Sequence, residues 1–406
     1  MSVVLLGSTS GSVTLQEPAV AGSTTINLPA TSGTMAVLPT ATSVLPEASG
    51  GTGTTTGYYG FKNRIINGAM VIDQRNAGAA STIPVAVGAG YTLDRWRYAA
   101  PALAKFTLQQ NQGGVTTPAG FRNYLGLTSS AATAVAAGDA YIMQQYIEGF
   151  NTADLGWGTA SAASVTLSFI VYSSLTGTFG GSLQNSAQNR SYPFTYSIPT
   201  ANTWTTISIT IAGDTSGTWI GATSGLGISL TFGLGVGSTF SGTAGAWAGA
   251  NYFSATGAVS VVSTNGATFY ITGVQLEKGS TATSFDYRPY GTELALCQRY
   301  CLVYWSNTDG SVRFFGFNYT TTSALAQVYF PVVTRTYPTG ITVSTASGFT
   351  LYTAGTSLAP SAIALDNAST KTANVNVTAS GLTQGGGCIL GFQASGNKIE
   401  FTGMEL

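Results

Sequence analysis

Short runs in which apolar and polar residues alternate fill most of the chain, and they predict β-strands rather than helices. The clearest run is 268–277, TFYITGVQLE, which is rich in β-branched and aromatic residues and carries apolar side chains on both faces. A strand of this kind belongs deep inside a β-sandwich. Strict two-residue alternation places Phe269, Ile271, Gly273 and Gln275 on one face and Tyr270, Thr272, Val274 and Leu276 on the other.

The rest of residues 58–290 repeats this pattern. Turns rich in Gly and Pro separate the runs, with the spacing of a sandwich or jelly roll. In the predicted strand 203–212 the alternation points Ile207, Ile209 and Ile211 into the core. The other strands predicted in this domain are 65–73, 96–98 and onward, 105–110, 140–147, 164–172, 227–232 and 258–262.

The periodicity changes after residue 277. Lys278-Gly279-Ser280 forms a turn, and Thr292 is a suitable N-cap for a short helix. That helix aligns Leu294, Cys297 and Cys301 on one face. Residues 291–406 are therefore predicted to be a short helix followed by a second β-sandwich. Its predicted strands are 312–319, 324–332, 340–344, 349–352, 374–378, 387–393 and 398–402.

Residues 1–57 are almost uncharged, with Glu17 and Glu47 as their only ionisable side chains. Short alternating pieces lie between clusters of Gly, Pro, Ser and Thr. Such a segment has little apolar surface to bury alone, so two interpretations stay open. It is either an intertwined or docked β segment, with strands completed by other copies of the chain, or a loose linker.

The composition excludes several classes of protein. Charged residues make up 7% of the chain, and 15 basic side chains balance 15 acidic ones, so no net field attracts nucleic acid or anionic lipid. Hydrophobic residues at 44% and aromatics at 11% exclude disorder. No apolar run is long enough to predict membrane insertion, and the first residues lack a basic signal region, so assembly in a cytoplasm is expected. The three cysteines are predicted to be buried free thiols.

Catalysis and cofactor binding receive little support. The chain has no histidine, which removes the commonest general base and zinc ligand, and it has no phosphate-binding loop. We therefore predict no cofactor, no metal site and no catalytic residue, and a structural calcium ion stays an open guess. The carboxylate pairs that a glycosidase would need are Asp73 with Asp94, Asp139 with Glu148, and Glu277 with Asp286. Salt bridges from Asp94 to Arg95 or Arg97, and from Asp286 to Arg288, are the simpler expectation.

Sugar binding suits the remaining residues better. Saccharides are bound by flat aromatic faces together with amide and carboxylate groups, and such a surface needs no net charge. The predicted carbohydrate-binding residues lie in three loops: Trp219 in GDTSGTWIG, Trp247 in GTAGAWAGANY, and Trp305, Asn307 and Asp309 in YWSNTDG. The competing interpretation of each tryptophan is a plug in a core or between protomers.

Two separated motifs resemble bacteriophage tail fibre and receptor-binding proteins. NRIINGAMVIDQRN with YTLDRW resembles the opening of a jelly-roll domain similar to carbohydrate-binding modules, and GVQLEKGSTATSFDYRPYGTELALCQRY resembles its end. Residues 1–57, with their GGTG linker, resemble virion-docking segments of such fibres. The resemblance implies an all-β homotrimer with three parts: a docking or shaft segment (1–57), a jelly-roll domain (58–290), and a C-terminal part (291–406) as candidate receptor-binding tip.

The function implied by the resemblance is host attachment through a cell-surface glycan, in the tail of a virion assembled in the host cytoplasm. Residues 1–57 would contact other tail or baseplate proteins, and neither nucleic acid nor a membrane is an expected partner. Two alternatives stay open: a neck, head or tail decoration protein that binds no receptor, and, less favoured, a polysaccharide-degrading tailspike.

Overall fold

The computed structural model of the protein describes residues 3–6, 12–15, 61–79, 81–82, 88–306, 313–393 and 396–406. The chain divides into two compact units, Met1–Gly57 and Tyr58–Leu406. In the first unit, β1 (Val3–Leu6) pairs antiparallel with β2 (Ser12–Leu15). Apart from this hairpin, the predicted docking or intertwining of residues 1–57 concerns positions outside the described residues.

The first part of the second unit is an antiparallel β-sandwich. Its main strands form two six-stranded sheets, in the orders β11-β10-β13-β8-β5-β4 and β12-β9-β16-β7-β6-β3. The small strands β14 and β15 pair in parallel beside them. The strands are β3 (Ser81–Thr82), β4 (Gly88–Tyr91), β5 (Trp96–Ala100), β6 (Phe106–Gln110), β7 (Leu125–Ser129), β8 (Ala140–Glu148), β9 (Val165–Ser173), β10 (Gly177–Gln184), β11 (Ser191–Ile198), β12 (Thr205–Ile211), β13 (Leu226–Val236), β14 (Ser241–Gly242), β15 (Ser254–Ala255) and β16 (Thr268–Lys278).

Aromatic side chains from both sheets meet in the core of this sandwich. The ring of Phe169 on β9 lies 5.1 Å from that of Phe232 on β13 and 5.0 Å from that of Tyr196 on β11. The predicted β-sandwich is thereby confirmed. On the edge strand β12, Ile211 is fully buried, whereas Ile207 and Ile209 are half-buried against the core. The side of the strand that faces the core was predicted correctly. Ile207 and Ile209 are less completely buried because β12 lies at the edge of its sheet.

Strand β16 departs from strict alternation at Gly273. The pairing register with β9 shifts between Thr272 and Gln275, and Gly273 has a φ of +62°. This β-bulge moves Val274 and Leu276 onto the core face that Phe269 and Ile271 occupy before it. The predicted division into two faces is therefore wrong beyond the bulge. Opposite the core, Tyr270 stacks between Tyr124 and Tyr172, with centroids 5.1 and 5.4 Å away.

Residues 65–73 form a loop and not the predicted strand. Asn67 has a φ of +60°, and its side chain accepts a hydrogen bond from the Ile72 nitrogen at 3.0 Å and donates to the Ile72 oxygen at 2.8 Å. The side-chain amide of Asn67 thus makes the hydrogen bonds to the Ile72 backbone that a neighbouring strand would otherwise make, and it closes a turn. A Cβ on Gly68 would lie 2.1 Å from the Val274 oxygen, so only glycine fits this approach to β16.

Residues 258–262 are also not the predicted strand. Val261 and Val262 are fully buried, which explains the apolar signal in the sequence. Their segment, however, makes single backbone bonds to two different strands: Val259 donates to Thr178 on β10 and Val262 donates to Leu234 on β13. The segment therefore covers the end of the core as an irregular loop.

A single α-helix in the described residues links the two sandwiches, α1 (Tyr290–Gln298). It starts earlier than predicted. Pro289 is the N-cap and Thr292 lies inside the first turn, with its nitrogen donating to the Pro289 oxygen. Proline at this boundary already has the extended conformation that precedes a helix, so no capping side chain is used. Cys297, Cys301 and Cys388 are buried free thiols, as predicted.

The C-terminal part forms two further antiparallel sheets. One has the order β17-β26-β20, and the other has seven strands in the order β22-β21-β25-β18-β19-β24-β23. A second core, separate from that of the first sandwich, includes Phe314, Val328, Phe349, Leu390 and Phe401. The strands are β17 (Leu302–Trp305), β18 (Arg313–Asn318), β19 (Ser323–Tyr329), β20 (Gly340–Val343), β21 (Phe349–Thr353), β22 (Thr356–Leu358), β23 (Ala362–Ala368), β24 (Thr372–Thr378), β25 (Gly387–Phe392) and β26 (Lys398–Thr402).

Buried ion pairs join this C-terminal part to the first sandwich. Arg75 donates to Glu400 and to Glu405, both at 3.0 Å, and Arg95 also pairs with Glu405. Arg299 donates to Glu148 of β8 at 2.6 and 2.9 Å. These contacts, which we call the ionic seam, lie beside a small apolar cluster that includes Ile66, Ile72, Cys297 and Tyr300. The charges at the seam are therefore paired across it and largely shielded from water.

Candidate functional site

Three tryptophans from different loops meet at one end of the first sandwich. Trp157 lies 4.7 Å from Trp219 and 5.3 Å from Trp247, and the last two are 5.4 Å apart, all measured between ring centroids. The rings meet edge to face, which is the favoured geometry of aromatic pairs. Trp157 is buried, whereas Trp219 and Trp247 are half-buried against the core. Two predicted site residues thus come together, with a third tryptophan that the sequence analysis did not select.

Hydrogen bonds hold the three indoles in place. The indole nitrogens of Trp157 and Trp247 donate to the oxygens of Ala163 and Ala212, each at 2.8 Å. That of Trp219 donates to Asp214 at 3.3 Å and to the Ser216 oxygen at 3.2 Å. Because the polar edges of the rings are used in this way, only their carbon faces and edges are left for a ligand.

A buried ion pair supports the loop that carries Trp219. Asp214 is almost fully buried and accepts two hydrogen bonds from Arg190, at 2.8 and 2.6 Å. This two-point contact fixes the direction of the guanidinium group. Gly217 packs over the aliphatic part of Arg190, since a Cβ there would lie 2.5 Å from its Cγ. The loop therefore rests on a rigid base beside the tryptophans.

A surface pocket of about 430 Å³ opens beside Trp157 and Trp219. Its volume lies in the range of small-molecule sites. No charged side chain lines the pocket. Trp247 contacts Trp157 and Trp219 but does not itself line the pocket. Its lining comprises Thr152, Ala153, Leu155, Gly156, Trp157, Thr159, Trp219, Ile220, Gly221, Ala222 and Ile228. The pocket is thus a mainly apolar recess with two indoles in its wall.

The third predicted loop is organised differently. The Trp305 indole nitrogen donates to the Gln74 oxygen at 2.6 Å, and the Lys398 ammonium lies 5.4 Å from the ring centroid. Trp305 therefore packs where β17 meets the 61–79 loop of the first sandwich. Asn307 and Asp309 lie outside the described residues, so the saccharide-binding role of this loop stays a prediction.

The carboxylates considered for catalysis are held by protein partners. Asp94 accepts hydrogen bonds from the nitrogen and the side chain of Gln74, at 2.7 and 2.6 Å, and burial raises its pKa to about 6. The expected salt bridge from Asp94 to Arg95 or Arg97 is wrong, because Arg95 pairs with Glu405 and Arg97 donates to Gln144. Both arginines thus bond to acceptors on other elements and not to Asp94, their neighbour in the sequence.

Three further acidic candidates are also held by protein partners. Asp286 accepts from the Asn63 nitrogen at 3.2 Å, whereas Arg288, its expected partner, pairs with Glu293 at 3.2 Å. Burial alone would raise the pKa of Glu148, but hydrogen bonds from Arg299 and Tyr300 lower it. Glu277 accepts from Gln275 and Thr283. These contacts account for the positions of these three carboxylates.

Within the described ranges, no group of three or more Cys, Asp or Glu side chains is placed to hold a metal ion. No helix there has the length and apolar character needed to span a membrane.

A second aromatic surface lies on the seven-stranded sheet of the C-terminal part. Phe315 and Phe317 on β18 are 67% and 48% exposed, and Tyr352 on β21 is 37% exposed. These residues were not among the predicted site residues. Alternation in VRFFGFNY does place Phe315, Phe317 and Tyr319 on one face, but the sequence does not show whether that face is exposed or buried.

Comparison with known proteins gives structural likeness only. A protein of Bacteroides thetaiotaomicron proposed to bind sugar is 15% identical, with 53% of this chain and all of that chain covered, at a TM-score of 0.30. A family 11 carbohydrate-binding module from Clostridium thermocellum, in complex with a mixed-linked tetrasaccharide, is 10% identical, with 50% and 100% covered, at a TM-score of 0.24. No protein-family model and no curated protein sequence matches the chain.

Proposed function

We propose that this protein is a glycan-binding attachment protein of a tailed bacteriophage, located in the virion tail. The observation that carries the glycan-binding proposal is the uncharged pocket beside Trp157 and Trp219, whose rings are fixed by their own hydrogen bonds. Rigid aromatic faces bind sugar rings with little loss of conformational entropy, and a neutral pocket suits a neutral ligand. Trp247 acts from behind, as a support for Trp157 and Trp219.

The two resemblance motifs support the viral assignment, because they pack against each other in the fold. The Asn63 side chain donates to the Val274 oxygen at 3.0 Å, and the Arg64 nitrogen donates to the Leu276 oxygen at 2.8 Å. Arg288 of the second motif donates to the Ile65 oxygen of the first at 3.1 Å. The residues that resemble tail fibre proteins thus form one contiguous part of this molecule.

The homotrimer and the docking role of residues 1–57 belong to the same proposal. A chain with so few charges leaves neutral surface that packs against further copies at little desolvation cost. Three glycan sites on one particle would then combine weak individual affinities into firm attachment. Native mass spectrometry of the full chain is expected to give three times the mass of one chain.

The test of glycan binding uses the full chain and two tryptophan variants. W219A removes a pocket wall and is expected to weaken binding on a glycan array, and binding to host cells, by about tenfold. W204A is the matched control, because Trp204 is also half-buried and bonded to a backbone oxygen, that of Thr116, but does not line the pocket. Equal affinity of W219A and the unchanged protein would overturn the assignment of the site.

Two other results would overturn the proposed function itself. A protein that binds no glycan and no cell, yet is present in particles, would fit the decoration alternative. Release of reducing sugar from a capsular polysaccharide, lost on substitution of a single Asp or Glu, would establish a tailspike enzyme.

A further inference from the structure

Three side chains stand in one row across the exposed face of the seven-stranded sheet. Ile389 on β25 pairs with Tyr352 on β21 and with Phe315 on β18. Residues paired in this way point to the same side, and both aromatic rings are exposed. Because each step between strands is about 5 Å, the two aromatic residues stand about 10 Å apart with Ile389 between them.

A groove of about 600 Å³ follows this row. The β21–β22 hairpin forms one side, and its turn residues Ala354 and Gly355 both have positive φ, as a tight two-residue turn requires. The remaining lining is small and uncharged. The full lining comprises Phe315, Gly316, Tyr352, Thr353, Ala354, Gly355, Thr356, Ser357, Gly387, Cys388 and Ile389.

The groove also offers hydrogen-bonding groups. Within the residues that the structure describes, the hydroxyls of Tyr352 and Ser357 make no hydrogen bond to the protein. Tyr352 and Ser357 are paired residues of the β21–β22 hairpin, so their side chains lie close together. The Arg313 guanidinium lies 5.5 Å from the centroid of the Tyr352 ring and limits its movement. By contrast, the Thr353 hydroxyl already donates to the Gly387 oxygen on β25, and the Thr356 hydroxyl donates to the Thr353 oxygen within the hairpin.

We propose that this groove is a second saccharide site, which takes a short neutral oligosaccharide. Its sugar rings would stack on Phe315 and Tyr352, and its hydroxyls would bond to Tyr352 and Ser357. The lining itself carries no charged side chain, and the Arg313 guanidinium contacts the Tyr352 ring, so a neutral ligand brings no charge of its own that would have to be paired in the groove. The proposal rests on the proposed glycan-binding function and adds a separate site on the other sandwich.

The experiment separates the two sites by their aromatic residues. The six tryptophans of the chain are at positions 96, 157, 204, 219, 247 and 305, and none lines the groove. The probes are linear neutral hexasaccharides of glucose, galactose, mannose and N-acetylglucosamine. Binding to the full chain is followed by saturation-transfer NMR, which detects both sites, and by tryptophan fluorescence, which detects the pocket of the first sandwich.

The groove variants are made in the W219A protein, in which the first site is weakened. F315A and Y352A are each expected to lower the remaining affinity five- to tenfold, without a change in tryptophan fluorescence, and Y352F is expected to lower it two- to threefold. Y329A is the matched control, because Tyr329 is 70% exposed on the same sheet but does not line the groove. Its affinity should not change.

Three results would overturn the second site. If F315A and Y352A bind as W219A does, the groove is not a site, while the proposed function stands on the W219A effect alone. If they instead lower the mass of the assembly, the face contacts a second copy of the chain. If neither the unchanged protein nor any variant binds a probe, glycan binding fails at both sites.

Discussion

The guanidinium carbon of Arg95 lies 3.6 Å from the centroid of the Tyr300 ring, so the loop before β5 contacts a residue just beyond the end of helix α1. Arg95 is 1% exposed, and its charge is paired with Glu405. The Tyr300 hydroxyl donates to Glu148, which also accepts from Arg299. The ionic seam is therefore one connected set of contacts and not a series of independent pairs.

Removal of one charge from the ionic seam is expected to destabilise the folded protein. R95M leaves Glu405 with a single arginine and removes the cation–π contact, so the free energy of unfolding should fall by about 3 kcal/mol. Urea denaturation followed by fluorescence measures it. K278M is the control, since the Lys278–Asp154 pair is exposed and should contribute less than about 1 kcal/mol. Equal losses in both variants would show that the seam does not stabilise the protein.

Asp94 is expected to make stability depend on pH in the acidic range. Burial raises its pKa from 3.8 to about 6, with Arg75 opposing the shift, so the folded state holds the proton more tightly than the unfolded state does. Its contribution is therefore most favourable below about pH 4 and declines as the pH rises towards 6. The full difference is about 3 kcal/mol.

The substitution D94N should remove this contribution. The variant is expected to lose less stability than the unchanged protein between pH 4.5 and pH 7, as measured by urea denaturation at both values. D366N, at an exposed position of β23, is the control and should behave as the unchanged protein. Identical pH dependence in D94N and the unchanged protein would contradict the raised pKa of Asp94.

The bulge in β16 gives a backbone prediction. G273A places a Cβ at a φ of +62° and 2.7 Å from the Phe121 ring, so it should lower the free energy of unfolding by about 1–3 kcal/mol. G291A is the control, because Gly291 lies at the start of α1 with open space around it. There alanine should stabilise by about 0.5–1 kcal/mol. A stable G273A protein would contradict the bulge.

The three thiols should report on opening of the structure. Burial raises the pKa of Cys297 and Cys301 well above the usual value, and burial also raises that of Cys388. We expect no reaction with an aromatic disulfide reagent at pH 8 in the folded protein, and reaction of all three thiols in urea. In R95M, Cys297 and Cys301 should react faster than in the unchanged protein. Cys388, in the other core, is the internal control, and an equal increase there would contradict local opening.

The strand pattern was predictable wherever side chains alternate over a covered face. Both sandwiches follow from it, and strands such as β9, β12 and β26 lie close to their predicted positions. The errors occur where side chains bond to the backbone or glycine permits an unusual conformation. Asn67 closes a loop where a strand was expected, and Gly273 exchanges the faces of β16. Neither effect changes the apolar pattern on which the prediction depends.

The candidate sites were less predictable because they depend on contacts between distant loops. Trp219 and Trp247 were selected singly, and only the fold brings them to Trp157. The Phe315–Tyr352 groove needs the pairing order β21-β25-β18, which sequence spacing does not give. The predicted pairing of Asp94 with Arg95 was wrong for the same reason, because the nearest opposite charge along the chain is not the partner in the folded structure.

The ionic seam also bears on how the chain folds during synthesis. Arg75 and Arg95 are separated from Glu405 by 330 and 310 residues, so they leave the ribosome long before their acceptor exists. Until then their side chains remain hydrated, and the strands of the first sandwich can pair without them. We therefore expect the C-terminal part to dock only after residues 400–405 have been made, and a nascent chain stopped before residue 400 would leave Arg75 and Arg95 without these carboxylate acceptors.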